Sequence, residues 1–283
     1  MRILHIGKYY PPVPGGMERF LGDLAEAQRA AGHEVVVLVH AHKRSARVSD
    51  PPWIMRVPVW MRLIFAPISP AFPFWLRRAI RDFKPDVLHF HLPNLSAFWA
   101  LMLPSALRIP WVLHWQSDIE QSKLSLRLAY PLYRPFEYAL LERAETIIAT
   151  SPQYLEASHA LAPWKPKCHV VPLGLDTGRL PRMRGVRSDD LWTGRGLRVL
   201  AVGRLTYYKG FETLIRAVLG DDTKQLIIVG EGEERRKLER LFTHANEPGS
   251  IRLMGEVDEP TLHRLMASCD VFCLTSRERT EAF

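Results

Sequence analysis

Ten short runs rich in Val, Ile and Leu recur along the chain, separated by longer amphipathic stretches. The runs are RILHIG (2–7), EVVVLVH (34–40), DVLHFH (86–91), PWVLHW (110–115), TIIATS (146–151), CHVVPL (168–173), RVLAVG (198–203), QLIIVG (225–230), IRLMG (251–255) and DVFCLTS (270–276). Each is continuous and β-branched, which suits a strand buried on both faces. Helical spacing of apolar positions marks Met17–Ala31, Lys123–Arg143, Phe211–Leu219, Glu233–His244 and Thr261–Ser268. Such alternation predicts βαβ units and parallel sheets covered by helices. The series breaks over residues 175–197, LDTGRLPRMRGVRSDDLWTGRGL, which are rich in Gly, Arg and Asp without an apolar period. That stretch reads as a linker. The expectation is two α/β domains, 1–174 and 198–283, with the second showing only four strands.

Composition narrows the class. The 283 residues are 47% hydrophobic and 24% charged, as expected of a globular protein. No run approaches the roughly 18 apolar residues of a spanning helix, and the N-terminus lacks a signal-peptide pattern. Three cysteines (Cys168, Cys269 and Cys273) offer no disulfide framework and suit a reducing cytoplasm. The net charge of +8 is concentrated locally. Residues 41–84 hold nine Lys or Arg and two acids, so they carry +7, and all other residues together carry +1. Trp53, Trp60, Phe65, Phe72, Phe74 and Trp75 interleave with these cations. Two readings fit: an interface with anionic lipid, or an excursion whose aromatics pack on the first domain.

Several strand ends carry candidate chemistry. Gly15-Gly16 precedes the first helix, where backbone N–H groups can meet an anion; the same glycines also suit a plain tight turn. The GxGxxG spacing of a dinucleotide site is absent. In RVLAVGRLTYYKGFETLI a strand ends at Gly203, and Arg204 and Lys209 follow just before a helix. A planar guanidinium and an ammonium beside a helix N-terminus predict a diphosphate site. Gly230, Glu231 and Gly232 follow the next strand, at the edge where open α/β sheets take ligands. In the terminal SRERTEAF, Glu278 and Glu281 are equivalent candidates for sugar hydroxyls. WVLHWQSDI places His114, Gln116, Ser117 and Asp118 at a carboxyl edge, with His89 and His91 on one face of the preceding strand. No carboxylate or thiol stands at ligand spacing to these histidines, so a polar cleft is preferred over zinc.

Taken together, YYPPVPGGMERF, HWQSDI, VVPLGLD, VGRLTYYKGFETLI, IIVGEGEE and SRERTEAF make the chain similar to the family 4 retaining glycosyltransferases of the GT-B fold. The middle of the first domain resembles bacterial exopolysaccharide and O-antigen mannosyl- or rhamnosyltransferases. The resemblance implies an α/β protein of two Rossmann-like domains facing a cleft. It implies an N-terminal acceptor-side domain (His114 and Asp118 on the acceptor side) and a C-terminal nucleotide-sugar domain. It implies transfer with retention, with no metal and no other cofactor. Arg204 and Lys209 match the pair that neutralises the leaving diphosphate, and Gly15 and Gly16 match the loop near the donor phosphates. Gly203, Gly230 and Glu231 fall on the donor side. Glu281 matches the first Glu of a Glu–seven residues–Glu motif whose second Glu would fall beyond Phe283, so a truncated chain is expected. Gln116 stands where the family often has His near the donor sugar. Gln cannot change charge near neutral pH, which suggests sugar positioning.

The expected partners are a nucleotide sugar (GDP-mannose as first guess), a lipid-linked glycan acceptor and, through residues 41–84, the cytoplasmic face of an anionic membrane. The competing readings are a non-catalytic remnant that binds membrane or nucleotide weakly, and a sugar-nucleotide epimerase. Nucleic-acid binding is excluded, because the basic cluster belongs to no nucleic-acid motif.

Overall fold

The computed structural model describes residues 1–47, 49–63, 66–119, 124–174, 189–193, 196–242 and 250–276. These residues form two compact units, one up to residue 174 and one from residue 189.

The first unit carries β1 (Arg2–Ile6), α1 (Gly16–Ala30), β2 (Glu34–His40), β3 (Ile54–Val57), β4 (Met61–Leu63), β5 (Ala66–Ile68), α2 (Phe72–Phe83), β6 (Val87–Leu92), α3 (Pro104–Leu107), β7 (Trp111–Trp115), α4 (Leu124–Arg143), β8 (Thr146–Ala149), α5 (Pro152–Ala157) and β9 (Cys168–Val170). Seven strands pair in parallel in the order β3-β2-β1-β6-β7-β8-β9, and β4 and β5 form a separate antiparallel pair. One face of the sheet buries Leu4, Ile6, Phe90, Trp111 and Leu113 with α2. The other packs Ile3, Val35, Val37 and Val39 against Leu21 and Ala25 of α1. Burial on both faces is why the strands read as unbroken apolar runs.

The basic segment 41–84 divides between the two readings open to it. Ile54–Val57 adds β3 at the sheet edge, and Phe72, Leu76, Ala79 and Ile80 of α2 enter the core. Trp53 packs on the α1 side with the Arg29 guanidinium 4.8 Å from its ring. Arg56 is half of a two-bond pair with Asp50 (2.6 and 2.9 Å), and it also donates to the Pro11 carbonyl at 2.7 Å. These residues are structural. Trp60, Met61 and Phe74 remain exposed, as do Arg77, Arg78 and Arg81 on α2. Phe65 lies outside the described residues.

The second unit carries β10 (Leu197–Val202), α6 (Phe211–Val218), β11 (Lys224–Val229), α7 (Arg235–Phe242), β12 (Ile251–Gly255), α8 (Glu259–Ser268) and β13 (Val271–Phe272). Its parallel sheet has the order β12-β11-β10-β13. Within the stretch read as a linker, Asp189–Leu191 forms a 3-10 turn and Trp192 is buried among Leu200, Ile227, Val229 and Leu265. Its indole N–H donates to Ser268 Oγ at 2.9 Å. A lone Trp in a polar stretch has no period to announce this packing. Trp192→Phe keeps the ring contacts and removes that bond, so urea unfolding of the second unit is expected to lose about 1 kcal/mol.

Candidate functional site

In the second unit the glycines bring two loops together. Gly203 directly follows β10, and Gly230 directly follows β11. A Cβ on Gly230 would collide with the Gly203 carbonyl oxygen, and one on Gly232 with the Leu205 carbonyl. Gly230 also has φ 137°, a conformation that strains L side chains. The loops are then stitched by Leu205 N–H to Glu231 O (3.0 Å) and Glu234 N–H to Leu205 O (3.0 Å). Arg204 leaves this junction with its side chain 55% exposed and a nitrogen 3.6 Å from Glu233 Oε2. Glu233 Oε1 accepts from Thr206 Oγ1 at 3.0 Å. Lys209 ends a 3-10 turn, and its stem lies over Gly203. Gly210, at φ 66°, starts α6 without a side-chain cap. Two cations, two glycine turns and an uncapped helix N-terminus therefore meet at the carboxyl end of one parallel sheet. The arrangement suits a diphosphate, whose negative charge the cations and the helix N-terminus oppose. Glu231 is turned toward Arg235 one helical turn on, forming an ion pair with it.

In the first unit, α1 begins without a side-chain cap at Gly15 (φ 158°), and a Cβ there would collide with the Glu18 carboxylate. Gly16 has open space around its Cα. Asp118 is an internal tie: its Oδ1 accepts from Trp115 Nε1 (2.7 Å), Tyr154 Oη (2.9 Å) and Ser158 Oγ (2.8 Å). Glu281 and Glu278 lie outside the described residues.

Four histidines converge on the α1 face of the first sheet. His5 on β1 pairs in register with His89 on β6, and His91 with His114 on β7. His89, His91 and His114 stack with centroids 4.7–5.7 Å apart, and Phe20 of α1 packs edge-on against His114 at 4.7 Å. Burial holds these rings neutral. His5 and His114 are lowered to about 4, His114 with help from His5; His89 and His91 are held well below the usual histidine range, chiefly by burial and further by their neighbouring rings. Burial also lowers His40 to about 4; its ring bonds the Lys8 carbonyl and Ser96 Oγ, both at 2.8 Å.

His5, His89 and His91 each offer a ring nitrogen within 4.8 Å of the others, a spacing a metal ion can bridge. However, His5 Nδ1 and His91 Nε2 are already 3.0 Å apart as a hydrogen-bonded pair, so a shared cation is not needed to hold them together. Gln116, just past β7, is buried; its Nε2 donates to His91 Nδ1 at 3.3 Å, and its Oε1 is buried without a partner among the described residues. His5 and Gln28 are the participants the sequence pattern did not single out. The available signal was a histidine at an inward position of an otherwise apolar strand.

Residues 15–174 match the family described as "Glycosyl transferase 4-like domain", and residues 188–283 match "Glycosyl transferases group 1". The chain belongs to the glycosyl transferase 4-like family. This glycosyltransferase is 28% identical to the D-rhamnosyltransferase WbpZ of Pseudomonas aeruginosa, the comparison covering all of this chain and 73% of that one. It is 30% identical to a phosphatidyl-myo-inositol mannosyltransferase of Mycobacterium leprae, covering 96% of this chain and 71% of the other. Among solved structures, sucrose-phosphate synthase from Thermosynechococcus elongatus superposes with a TM-score of 0.77 at 21% identity, covering 99% of this chain and 76% of that one. Anabaena HepE in complex with UDP and glucose gives 0.72 at 19% identity, covering 99% and 76%. The fold of this glycosyltransferase is accordingly GT-B.

Proposed function

We propose that this glycosyltransferase moves a hexose, mannose from GDP-mannose as the first candidate, to a lipid-linked glycan acceptor with retention, in bacterial surface polysaccharide or glycolipid synthesis. The observation that carries this is the pair Arg204 and Lys209 at the glycine-lined carboxyl edge beside α6. Bond cleavage at the anomeric carbon leaves a nucleoside diphosphate, and cations fixed where that charge develops lower the barrier. In this reading the two side chains supply the neutralisation that other transferases obtain from a bound metal, and Gln116 and Glu281 contact the sugar. Gly15 and Gly16 approach the donor phosphates, and His114 and Asp118 belong to the acceptor side. The printed activities of relatives support the sugar class: a GDP-mannose-dependent alpha-mannosyltransferase of Mycolicibacterium smegmatis and O-antigen chain mannosyltransferase C of Escherichia coli are among them.

The test is incubation with GDP-mannose and an undecaprenyl-diphosphate-linked acceptor. A product one hexose heavier with an α-anomeric proton by NMR is expected. Free mannose as the sole product, or inversion at the anomeric carbon, overturns the reading.

No helix among the described residues is long and apolar enough to cross a membrane, and the proposed site of action is the surface of the cytoplasmic leaflet. Two features support it. Trp60 and Phe74 are exposed (75% and 66%) near Arg77, Arg78 and Arg81 in sequence. Leu128 and Leu132 of α4 expose a further apolar strip. Replacing Arg77 and Arg78 with Gln is expected to weaken sedimentation with phosphatidylglycerol vesicles by about 2 kcal/mol, at about 1 kcal/mol per cation. Binding unchanged by the substitutions removes this surface from the proposal.

A further inference from the structure

We infer that His5 and His91 form a one-directional hydrogen-bond relay that fixes the amide of Gln116 and turns its carbonyl oxygen into an acceptor for a hydroxyl of the transferred sugar. The inference rests on the reading of Gln116 as a sugar contact and adds two positioning residues behind it.

The direction follows from elementary donor and acceptor rules. An amide oxygen only accepts, so the 2.7 Å contact between His5 Nε2 and Gln28 Oε1 places the proton on His5 Nε2. A neutral ring carries one proton, which leaves His5 Nδ1 as a lone pair. The 3.0 Å contact to His91 Nε2 therefore places a proton on that nitrogen. His91 Nδ1 is then a lone pair in turn, and it takes the N–H of Gln116 Nε2 at 3.3 Å. The chain runs from Gln116 through His91 and His5 to Gln28, on α1, with three bonds and no net charge. Burial of both rings keeps it uncharged.

The relay decides which end of the Gln116 amide points away from it. A flipped amide would set its oxygen against the His91 Nδ1 lone pair; restoring that bond would reverse both tautomers and set the His5 Nε2 lone pair against Gln28 Oε1. With Gln28 presenting its oxygen to His5, the amide is held with its nitrogen inward. Its Oε1 is buried without a donor among the described residues, an arrangement that is costly in a core and useful in a site. It stands just past the carboxyl end of β7, the edge where open α/β sheets take ligands. A sugar hydroxyl supplies the missing proton. Histidine at this position would offer a ring nitrogen that gains or loses a proton with pH, whereas the locked glutamine offers an acceptor at every working pH. In the relay His91 Nε2 carries a proton directed at His5, so a cation binding through that nitrogen would have to displace it.

Two variants separate positioning from packing. His91→Asn keeps an oxygen where Nδ1 stood, so it still accepts from Gln116 but no longer reaches His5. His91→Gln keeps an amide where Nε2 stood, so it still donates to His5 but no longer holds Gln116. With GDP-mannose as donor, His91→Gln, which releases Gln116, is expected to lose roughly tenfold or more in kcat/KM, the scale of one hydrogen bond to substrate, and His91→Asn, which still meets Gln116 but is no longer oriented by His5, to show a smaller loss of roughly threefold. Nitrogen-15 NMR of the histidine side chains is expected to show both His5 and His91 protonated at Nε2, a measurement that decides independently of turnover. An Nδ1–H tautomer on either ring overturns the relay, as does an equal loss in both variants accompanied by an equal loss of thermal stability. Zn²⁺ that titrates the His5 and His91 resonances also overturns it. Full activity in Gln116→Ala overturns both the relay and the sugar-contact reading. An inactive Gln116→Ala alongside a fully active His91→Gln overturns the relay alone.

Discussion

Lys209→Ala is expected to lower kcat by about 10²–10³, equivalent to about 2.7–4 kcal/mol of transition-state stabilisation, and Arg204→Ala by a comparable factor. The reasoning is local to the second unit. Gly203 and Gly230 let two loops approach to a distance no side chain allows. That packing delivers both cations to the end of one sheet, beside the uncapped start of α6. Both groups act on charge that grows only as the sugar–diphosphate bond breaks, so kcat should fall more than KM rises. Thermal stability should barely move, because Arg204 is largely exposed and its 3.6 Å contact with Glu233 is a surface ion pair. The double variant should lose less than the product of the two factors, since both act on one leaving group. The check is steady-state release of GDP from GDP-mannose. Turnover within twofold of the parent in either single variant would remove that residue from the diphosphate site.

The second large effect is acid destabilisation of the first unit between about pH 6.5 and 4. His5, His40 and His114 are neutral in the fold, with values lowered to about 4, whereas an unfolded chain protonates them near 6.5. The unfolded state therefore binds more protons in this window, and stability falls as pH falls. At pH 5 each of the three rings costs about 2 kcal/mol relative to pH 7.5. His89 and His91 act in the same direction. One group opposes them: burial, with the nearby Asp118 charge, raises Glu137 to about 7 against the bond it accepts from Tyr130, so acidification relieves a buried carboxylate. That relief offsets about 2 kcal/mol by pH 5. The net loss from these groups is about 4 kcal/mol, a large part of an ordinary domain's stability. Urea midpoints of the first unit should drop steeply from pH 7 to 5, and substituting the histidines by Phe or Gln should flatten the slope. A midpoint independent of pH would show that these rings take up protons in the fold as readily as in the unfolded chain.

Much of the architecture was legible in the chain because burial on both sheet faces writes itself as continuous Val, Ile and Leu. All ten apolar runs became strands, most displaced by no more than two residues at their ends, while β9 stopped three residues early at Val170 and β13 shrank to Val271–Phe272. The strand–Gly–Arg–loop–Lys–Gly order carried the phosphate-site candidates for a related reason: close backbone approach needs glycine, and anions need fixed cations. What sequence spacing did not announce came from contacts made at long range. Phe72 and Trp75 looked like Phe74 and Trp60 in a mixed basic and aromatic stretch, yet helix phase sends the first pair inward and leaves Phe74 exposed on the same helix. Trp192 sat in a polar linker-like stretch and is buried among residues from two strands and a helix. The histidine relay is the sharpest case. His5, His91 and Gln116 are separated by 86 and 25 positions, and each alone is an ordinary polar residue at a strand or strand end. The parallel order β1-β6-β7 puts them side by side, and α1 closes over them with Gln28. Local pattern determines which segments become strands and helices, because periodicity and burial are properties of neighbours in the chain. Which lone pair meets which proton is a property of neighbours in space, and only the tertiary structure decided it.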